Sequence, residues 1–381
     1  MTEQGEDVTT YVDGHSIRLL NDGEEVFSSM LSDIGKATFE VLLEMYWIGE
    51  DEVGLAFRTA LARAAQRGCA VRVIIDGIGS FALSSGFWDE LLAVGGKVAT
   101  FHAIGEPGDA TILKSFVSRD HRKLLCLDRN IAYIGGLNLA APWWPRLPDI
   151  PAWRDTAVRL CGPGGARSLA DMFGQTWRYV RDQDATSPTH SSVIRLGPRL
   201  AILVNTPQKR SGRVIRRLYL WAIRRAQKSI DISAAYFAPR PLFLRALLRA
   251  KNRGVRVRIL VPISSDVWLA RLASGPIVRY LVGKGIAVYA YRASILHAKT
   301  AVIDEKWVTV GSHNLDAFSW AWNLECNVAV EDVHLGQAMV RCFERDIANA
   351  TLISPASAPL GLGSRVLNLA GKILIAGYRW L

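Results

Sequence analysis

Short aliphatic and β-branched runs alternate with amphipathic stretches along this chain, a rhythm that predicts strands separated by helices. A helical pattern over 24–38 leads into an apolar strand at 39–48. A second helix, 52–67, stops at Gly68, where the absence of a Cβ permits a left-handed turn. Strand 70–76, helix 87–94 and strand 97–102 complete the series. The same order returns as helix 212–227, strand 229–237, helix 242–253 with its stop at Gly254, and strand 255–261. Residues 64–73 match 249–258 in pattern, and 98–101 match 286–289. Two matched series predict an α/β fold of two αβα lobes with mixed sheets, packed face to face. A repeat this long is too large for a solenoid unit. The expected boundaries are a polar N-terminal tail at 1–20, a first lobe at 21–181 and a linker rich in Ser, Thr, Pro and His at 182–198. A second lobe at 199–355 and an amphipathic tail at 356–381 follow.

The chemistry lies in a motif that the duplication repeats. His121-x-Lys123-x4-Asp128 recurs 176 positions later as His297-x-Lys299-x4-Asp304. Each copy leads to a glycine turn and an asparagine, Gly135-Gly136-Leu137-Asn138 and then Gly311-Ser312-His313-Asn314. With 120–127 as a strand, alternation puts His121 and Lys123 on one face, and His297 and Lys299 stand in the same relation. Asp128 and Asp304 fall where strand meets turn, so a turn role competes with a catalytic one. The next strands, 131–134 and 307–310, return antiparallel and bring each asparagine beside its histidine. About twelve extra residues precede the first histidine, and 105–114 reads as an inserted loop near the site.

Two such sets suit one phosphodiester site. Lys123, Lys299, Asn138 and Asn314 can supply donors to the non-bridging oxygens. One histidine can attack phosphorus while the other protonates the departing alkoxide, and the acid then serves as base for the incoming alcohol. The lysines neutralise the charge, so the expected site uses no metal and no cofactor. An attacking histidine needs an acid at its far nitrogen. Asp155 and Glu325, 34 and 28 residues after His121 and His297, open apolar strands at corresponding places. Each is expected to orient the histidine that precedes it.

A net charge of +11 over 381 residues points to anionic partners: a phospholipid surface, nucleic acid or phosphorylated small molecules. The five cysteines, odd in number and without a Cys-x-x-Cys pair, argue against a disulfide framework or zinc site and for buried thiols in a reducing compartment. Residues 1–14 lack the basic and apolar regions of a leader, and no apolar run approaches the ~20 residues that span a bilayer. A soluble or peripheral protein is expected.

These residues resemble the phospholipase D superfamily, whose members carry two His-x-Lys-x4-Asp motifs, each followed by Gly-Gly/Ser-x-Asn. The resemblance covers about residues 20–350. Within the superfamily the chain looks most like the bacterial cardiolipin synthases of the B group, which lack N-terminal membrane helices. Arg119–Leu125, Ala132–Asn138, Trp153–Thr156, Ala235-Tyr236-Phe237 and Asn323–Val328 carry that finer match. It implies the duplicated phospholipase D-like fold around one active site, a covalent phosphatidyl-histidine, and transfer between two phosphatidylglycerols to give cardiolipin and glycerol. By the same resemblance His121, Lys123, Asp128, His297, Lys299 and Asp304 are the catalytic set, with His121 as nucleophile and His297 as acid. The symmetry of the motifs does not itself distinguish the two. Implied partners are phosphatidylglycerol, cardiolipin and the membrane surface, not nucleic acid, at a peripheral place on the cytoplasmic side of the cell membrane.

Other features bear on how the chain meets lipid. Trp143, Trp144 and Trp153, in a proline-rich loop, suit either a lipid interface or packing between lobes. Residues 213–228 gather six basic side chains beside Leu218, Tyr219 and Trp221, either a solvated cationic face or a headgroup site. Residues 364–381 are apolar with Arg365, Lys372 and Arg379 interspersed, a pattern suited to lying in the interface. Competing activities are hydrolysis to phosphatidic acid and cleavage of nucleic acid. The second is disfavoured by the lack of an aromatic and basic stripe for stacking bases. An inactive membrane scaffold is disfavoured because no catalytic position is substituted.

Overall fold

The computed structural model describes residues 8–103, 118–145, 149–182, 192–206, 214–264, 268–316, 319–320 and 322–354. The first half runs β1 (Thr9–Val12), β2 (His15–Leu20), α1 (Gly23–Lys36), β3 (Glu40–Met45), α2 (Glu52–Gln66), β4 (Ala70–Asp76), α3 (Asp89–Ala93) and β5 (Lys97–Phe101). It continues with β6 (Lys123–Leu127), β7 (Ile131–Gly135), β8 (Ala157–Cys161) and α4 (Pro163–Arg181). The second half has β9 (Ser192–Arg195), β10 (Leu200–Asn205), α5 (Val214–Arg225), β11 (Ser229–Ala234), α6 (Pro241–Asn252), β12 (Arg256–Pro262), α7 (Trp268–Gly283) and β13 (Ala287–Tyr291). Then come β14 (Lys299–Ile303), β15 (Trp307–Gly311), β16 (Glu325–Glu331), α8 (Val333–Ala348) and β17 (Ala350–Leu352).

Local chemistry sets these limits. Asp22 caps α1 by accepting from Glu25 N at 2.8 Å, while the Glu25 carboxylate reaches back to Asn21 N, a reciprocal pair that satisfies two orphan donors. Asp51 and Asp332 cap α2 and α8 with their own carboxylates, which accept from the amides of the first turn. Strands β3 and β11 are buried at every position, as central strands covered on both faces must be.

The duplication is complete at the level of the sheets. The first sheet has the order β1-β2-β8-β7-β6-β3-β4-β5. The second has β17-β13-β12-β11-β14-β15-β16-β10-β9, which is that order read from the other edge with β17 added. Pairing is parallel within β3-β4-β5 and β11-β12-β13 and antiparallel elsewhere, so both sheets are mixed. Helices α1 and α2 pack on the outer face of the first sheet, and α5, α6 and α7 on that of the second. Between the sheets lies one shared core, built from Leu124, Ile134 and Val158 on one side and Val302, Val310 and Val328 on the other, with α4 and α8.

Three expectations are corrected. Residues 9–20 are not a tail. They form the β1-β2 hairpin, turned by Asp13-Gly14 with φ of 49° and 77°, and Val12, Ile17 and Leu19 are fully buried. Its counterpart β9-β10 lies partly inside the expected linker, because each repeat opens with this hairpin. The strand expected from 120 starts only at Lys123, since Asp120 pairs across the lobes with Leu324 instead. Helix α7, which carries Gly275 and Pro276, was not marked by periodicity at all. Segment 105–114 and tail 356–381 lie outside the described residues.

Asp128 and Asp304 are structural clasps. Each sits in the tight turn of a hairpin with positive φ, as does its successor (49° and 49°; 52° and 58°). The Asp128 carboxylate accepts from the backbone of Thr38, Phe39 and Glu40 and from the Thr38 hydroxyl at 2.8–2.9 Å. Asp304 likewise accepts from the amides of Gln227, Lys228 and Ser229. Both tie the entry of a central strand to the far end of the motif strand, about 17 Å from its lysine at roughly 3.4 Å per residue. Burial alone would raise the Asp128 pKa, but these hydrogen bonds hold it below the ordinary value. Asp304→Ala should therefore lower stability by about 1–3 kcal/mol in urea unfolding, and an unchanged midpoint would refute the clasp.

Candidate active site

The site forms where the ends of corresponding strands meet across the lobes. Two parallel bridges join them, Asp120 with Leu324 and Arg154 with Leu296. His121 N donates to Leu324 O at 3.0 Å and His297 N to Arg154 O at 2.8 Å. Each histidine is thus docked on the segment of the other lobe that carries the acid.

The acids are crossed. His121 Nδ1 lies 3.2 Å from Glu325 Oε2, and His297 Nδ1 lies 2.7 Å from Asp155 Oδ2. Asp155 and Glu325 were expected beside the histidines of their own halves, and the structure exchanges them. The cause is local: residues 153–156 and 323–324 precede β8 and β16 and run along the opposite lobe before entering their own sheets, with Glu325 opening β16. Both carboxylates are fully buried. An ionised carboxylate only accepts, so it fixes the Nδ1–H tautomer and leaves Nε2 as the nitrogen available for chemistry.

The two pairs are not equivalent. Asp155 Oδ2 also accepts from Trp143 Nε1 at 3.3 Å, and its Oδ1 accepts from Thr156 N at 2.8 Å. Burial would raise its pKa, yet Lys299 and His297 outweigh burial and hold it below the usual aspartate value. Glu325 accepts from the Ser312 hydroxyl, but there burial prevails and its pKa is raised despite His313 and Lys123. At the position of Ser312 the first repeat has Gly136, where a Cβ would stand 2.3 Å from Asp155 Oδ1. The acid on that side leaves no room for a side chain.

The lysines enclose the same space. Lys123 Nζ donates to His121 O at 2.8 Å, and Lys299 Nζ donates to His297 O and lies 2.8 Å from His297 Nδ1. Burial, then Lys299, brings the Lys123 pKa down from 10.5 to about 7. The His121 pKa is pushed well below 6.5 by burial and by Lys123, Lys299 and His297, so its ring is neutral. Side chains of both motifs therefore face one seam, close enough to feel each other's charge.

The asparagines are buried beside it. Asn138 Oδ1 accepts from Trp47 N at 3.3 Å, whereas Asn314 Oδ1 meets no partner among the described residues. Four contributors escaped the sequence reading. Tyr46 lies edge-on to His121 at 5.0 Å with Lys123 Nζ 4.9 Å above its ring. Tyr236, two residues past β11, stands 6.3 Å from His297. Ser312 was visible only as part of a turn. His313 is 1% exposed with neither ring nitrogen hydrogen-bonded among the described residues, and burial brings its pKa down to about 4. The signal for both tyrosines was an aromatic just past each central strand, one residue beyond β3 and two beyond β11. Trp143 is fully buried, edge-on to His297 at 5.1 Å, so of the two readings for that tryptophan packing between lobes holds.

Chemically, the seam offers two acid-backed imidazoles and two lysines around a space suited to a tetrahedral anion. The sequence model of one family, "Cardiolipin synthase, PLD-like domain", matches residues 30–146 and 219–347. The chain is 35% identical over 338 residues to cardiolipin synthase B of Escherichia coli (strain K12), spanning 86% of this chain and 79% of that protein. It is 30% identical over 339 residues to the cardiolipin synthase of Geobacillus kaustophilus (strain HTA426), spanning 88% and 66%. The crystal structure of phosphatidylserine synthase from Haemophilus influenzae Rd KW20 shares the fold, with a TM-score of 0.73 over 96% of this chain and 94% of that one at 14% identity.

The Lys123 shift gives a pH test that needs no turnover. Its charge is present below about pH 7 and lost above it, so calorimetric affinity for tungstate should fall as pH rises through that value. Lys123→Met should bind tungstate about tenfold more weakly and with a flat profile over that range. A wild-type profile that is already flat would contradict the assignment.

Proposed function

This chain belongs to the cardiolipin synthase family of phospholipase D-like proteins, and from that premise we propose that it transfers a phosphatidyl group from one phosphatidylglycerol to another, giving cardiolipin and glycerol. The observation that carries the proposal is the crossed seam, where two carboxylate-backed imidazoles and two lysines share one space.

In the first step Nε2 of neutral His121 attacks the diester phosphorus. The P–O bond to the glycerol headgroup breaks as His297, in its imidazolium form, gives that oxygen a proton. In the second step His297 takes a proton from the acceptor's headgroup hydroxyl, whose oxygen attacks phosphorus and breaks the P–N bond, returning His121 neutral. Electrostatics favour this division of roles. Burial and its cationic neighbours push the His121 pKa down, while His297 faces Asp155, the acid whose pKa lies below its usual value and which so supports a positive charge on that ring. Lys123 and Lys299 neutralise the non-bridging oxygens, and Asn138 and Asn314 complete the phosphate contacts.

Phospholipid substrates place the enzyme on a membrane. No helix among the described residues is long and apolar enough to cross one. We place it peripherally on the cytoplasmic face, where its charge of +11 meets acidic lipid.

Labelled phosphatidylglycerol vesicles should yield cardiolipin and glycerol in equal amounts, while phosphatidic acid as the main product would make the enzyme a hydrolase. His121→Ala and His297→Ala should each lower turnover by about 10³-fold or more. In His297→Asn the label should remain on the protein, and in His121→Asn it should not. The reverse pattern would exchange the two roles. Because His121 must be neutral to attack, the acid limb of kcat/KM belongs below pH 6.5, and a limb above that value would remove it as nucleophile.

A further inference from the structure

A cleft of about 570 Å³ among the described residues is lined by none of the site residues. It opens between α5 and the β9-β10 hairpin of the second lobe, with Trp307 at its base. Its volume is in the ~300–1,000 Å³ range of ligand sites.

The walls are both apolar and cationic. Helix α5 buries Ile215, Tyr219, Ala222 and Ile223 in the core of its lobe. A second face, Val214, Arg217, Leu218 and Trp221, repeats at three and four residues and is turned to the cleft. Opposite it the edge strand β9 presents Val193 and Arg195 on its exposed face, two residues apart. Trp221 and Val193 are 42% and 40% exposed, large apolar groups left at the rim. Arg195 and Arg217 are exposed and make no ion pair among the described residues. Arg225 lies 4.8 Å from the Trp221 ring, adding a third guanidinium at that end. The carboxylate in the lining, Glu331, is taken up by Lys306 at 3.1 Å.

We propose that this cleft binds an acidic phospholipid of the bilayer, with its phosphate between Arg195 and Arg217 and its acyl ends along Leu218, Val193 and Trp221. The cleft thereby docks the second lobe on the membrane at a point separate from the catalytic seam. Charge complementarity fixes the sign of the ligand. The apolar wall and the rim tryptophan select an amphiphile over a phosphorylated solute, since a solute would leave that apolar surface wet. The proposal deepens the phospholipid reading of the enzyme and rests on it only for the class of surface involved.

The test uses the full chain and a lipid that is not its proposed substrate. Phosphatidylcholine vesicles with and without phosphatidylserine are sedimented with wild-type enzyme, Arg195→Glu/Arg217→Glu and Trp221→Phe. The charge reversal should weaken binding to acidic vesicles at least about tenfold and leave neutral vesicles unaffected. Brominated acyl chains should quench wild-type fluorescence, and the quenching should shrink in Trp221→Phe. Turnover of detergent-dispersed phosphatidylglycerol should stay within about twofold of wild type, which also reports folding. Unchanged vesicle binding by the charge-reversed enzyme overturns the proposal. So does a short single-stranded DNA that binds through the same arginines more tightly than the vesicles. If wild type turns over no phosphatidylglycerol, the reaction proposed above fails while the vesicle comparison still decides the cleft.

Discussion

Each histidine of the repeated motif is held by a carboxylate from the other half of the chain, and the rest of the architecture follows from that exchange. Asp155 and Glu325 are fully buried, and a buried carboxylate without partners is costly. Asp155 engages both its oxygens, through His297, Thr156 N and Trp143, and Glu325 is engaged at Oε2 by His121 and Ser312. Neither set is complete within one lobe. Separating the lobes would expose both shared-core faces and strip each acid of its imidazole together. Closure of the seam and assembly of the site are therefore one event. Arg154 strengthens the same junction, pairing with Asp346 of α8 at 2.8 Å and with Asn21 O at 2.8 Å.

Within this symmetric frame the departures from symmetry cluster at the acids. Gly136 faces Asp155 where Ser312 faces Glu325, and Leu137 stands where the second repeat has His313. The two carboxylates shift in opposite directions: at Asp155 the charges of Lys299 and His297 outweigh burial, whereas at Glu325 burial outweighs His313, Lys123 and the Ser312 hydroxyl. Duplication alone would make the histidines interchangeable. The different balance of burial and charge at the two acids separates them, and the proposed roles of attacking and protonating group rest on that separation.

Much of this was legible in the sequence because the repeat fixes spacing. His121, Lys123, His297 and Lys299 came together as the doubled motif required, and β4 occupies the residues read as a strand. The crossing of Asp155 and Glu325 was not legible. Counting residues within a half finds the acid, but it cannot say that the segment ahead of β8 leans on the opposite lobe. Asp128 and Asp304 share the motif yet serve the fold, because their turns close on the entry of the neighbouring strand. The β1-β2 hairpin was readable from Asp13-Gly14 between alternating residues, a signal outweighed by the polarity of the first residues. Trp143 could not be placed, since a buried aromatic and an interfacial one have the same local sequence.

The cations of the seam explain why such a site waits for a diester. With Lys123 and Lys299 buried beside two imidazoles, the empty space is crowded with positive charge, and Lys123 yields by releasing its proton near pH 7. A phosphodiester anion reverses that balance: its arrival raises the lysine pKa and restores the charge that the transition state needs. A neutral headgroup fragment offers no such relief, and a more highly charged phosphate would have to shed more water to enter a seam this enclosed. Binding and activation are then the same electrostatic step. The singly charged linkage of a phospholipid is the form that satisfies the lysines without leaving excess charge buried beside Asp155 and Glu325.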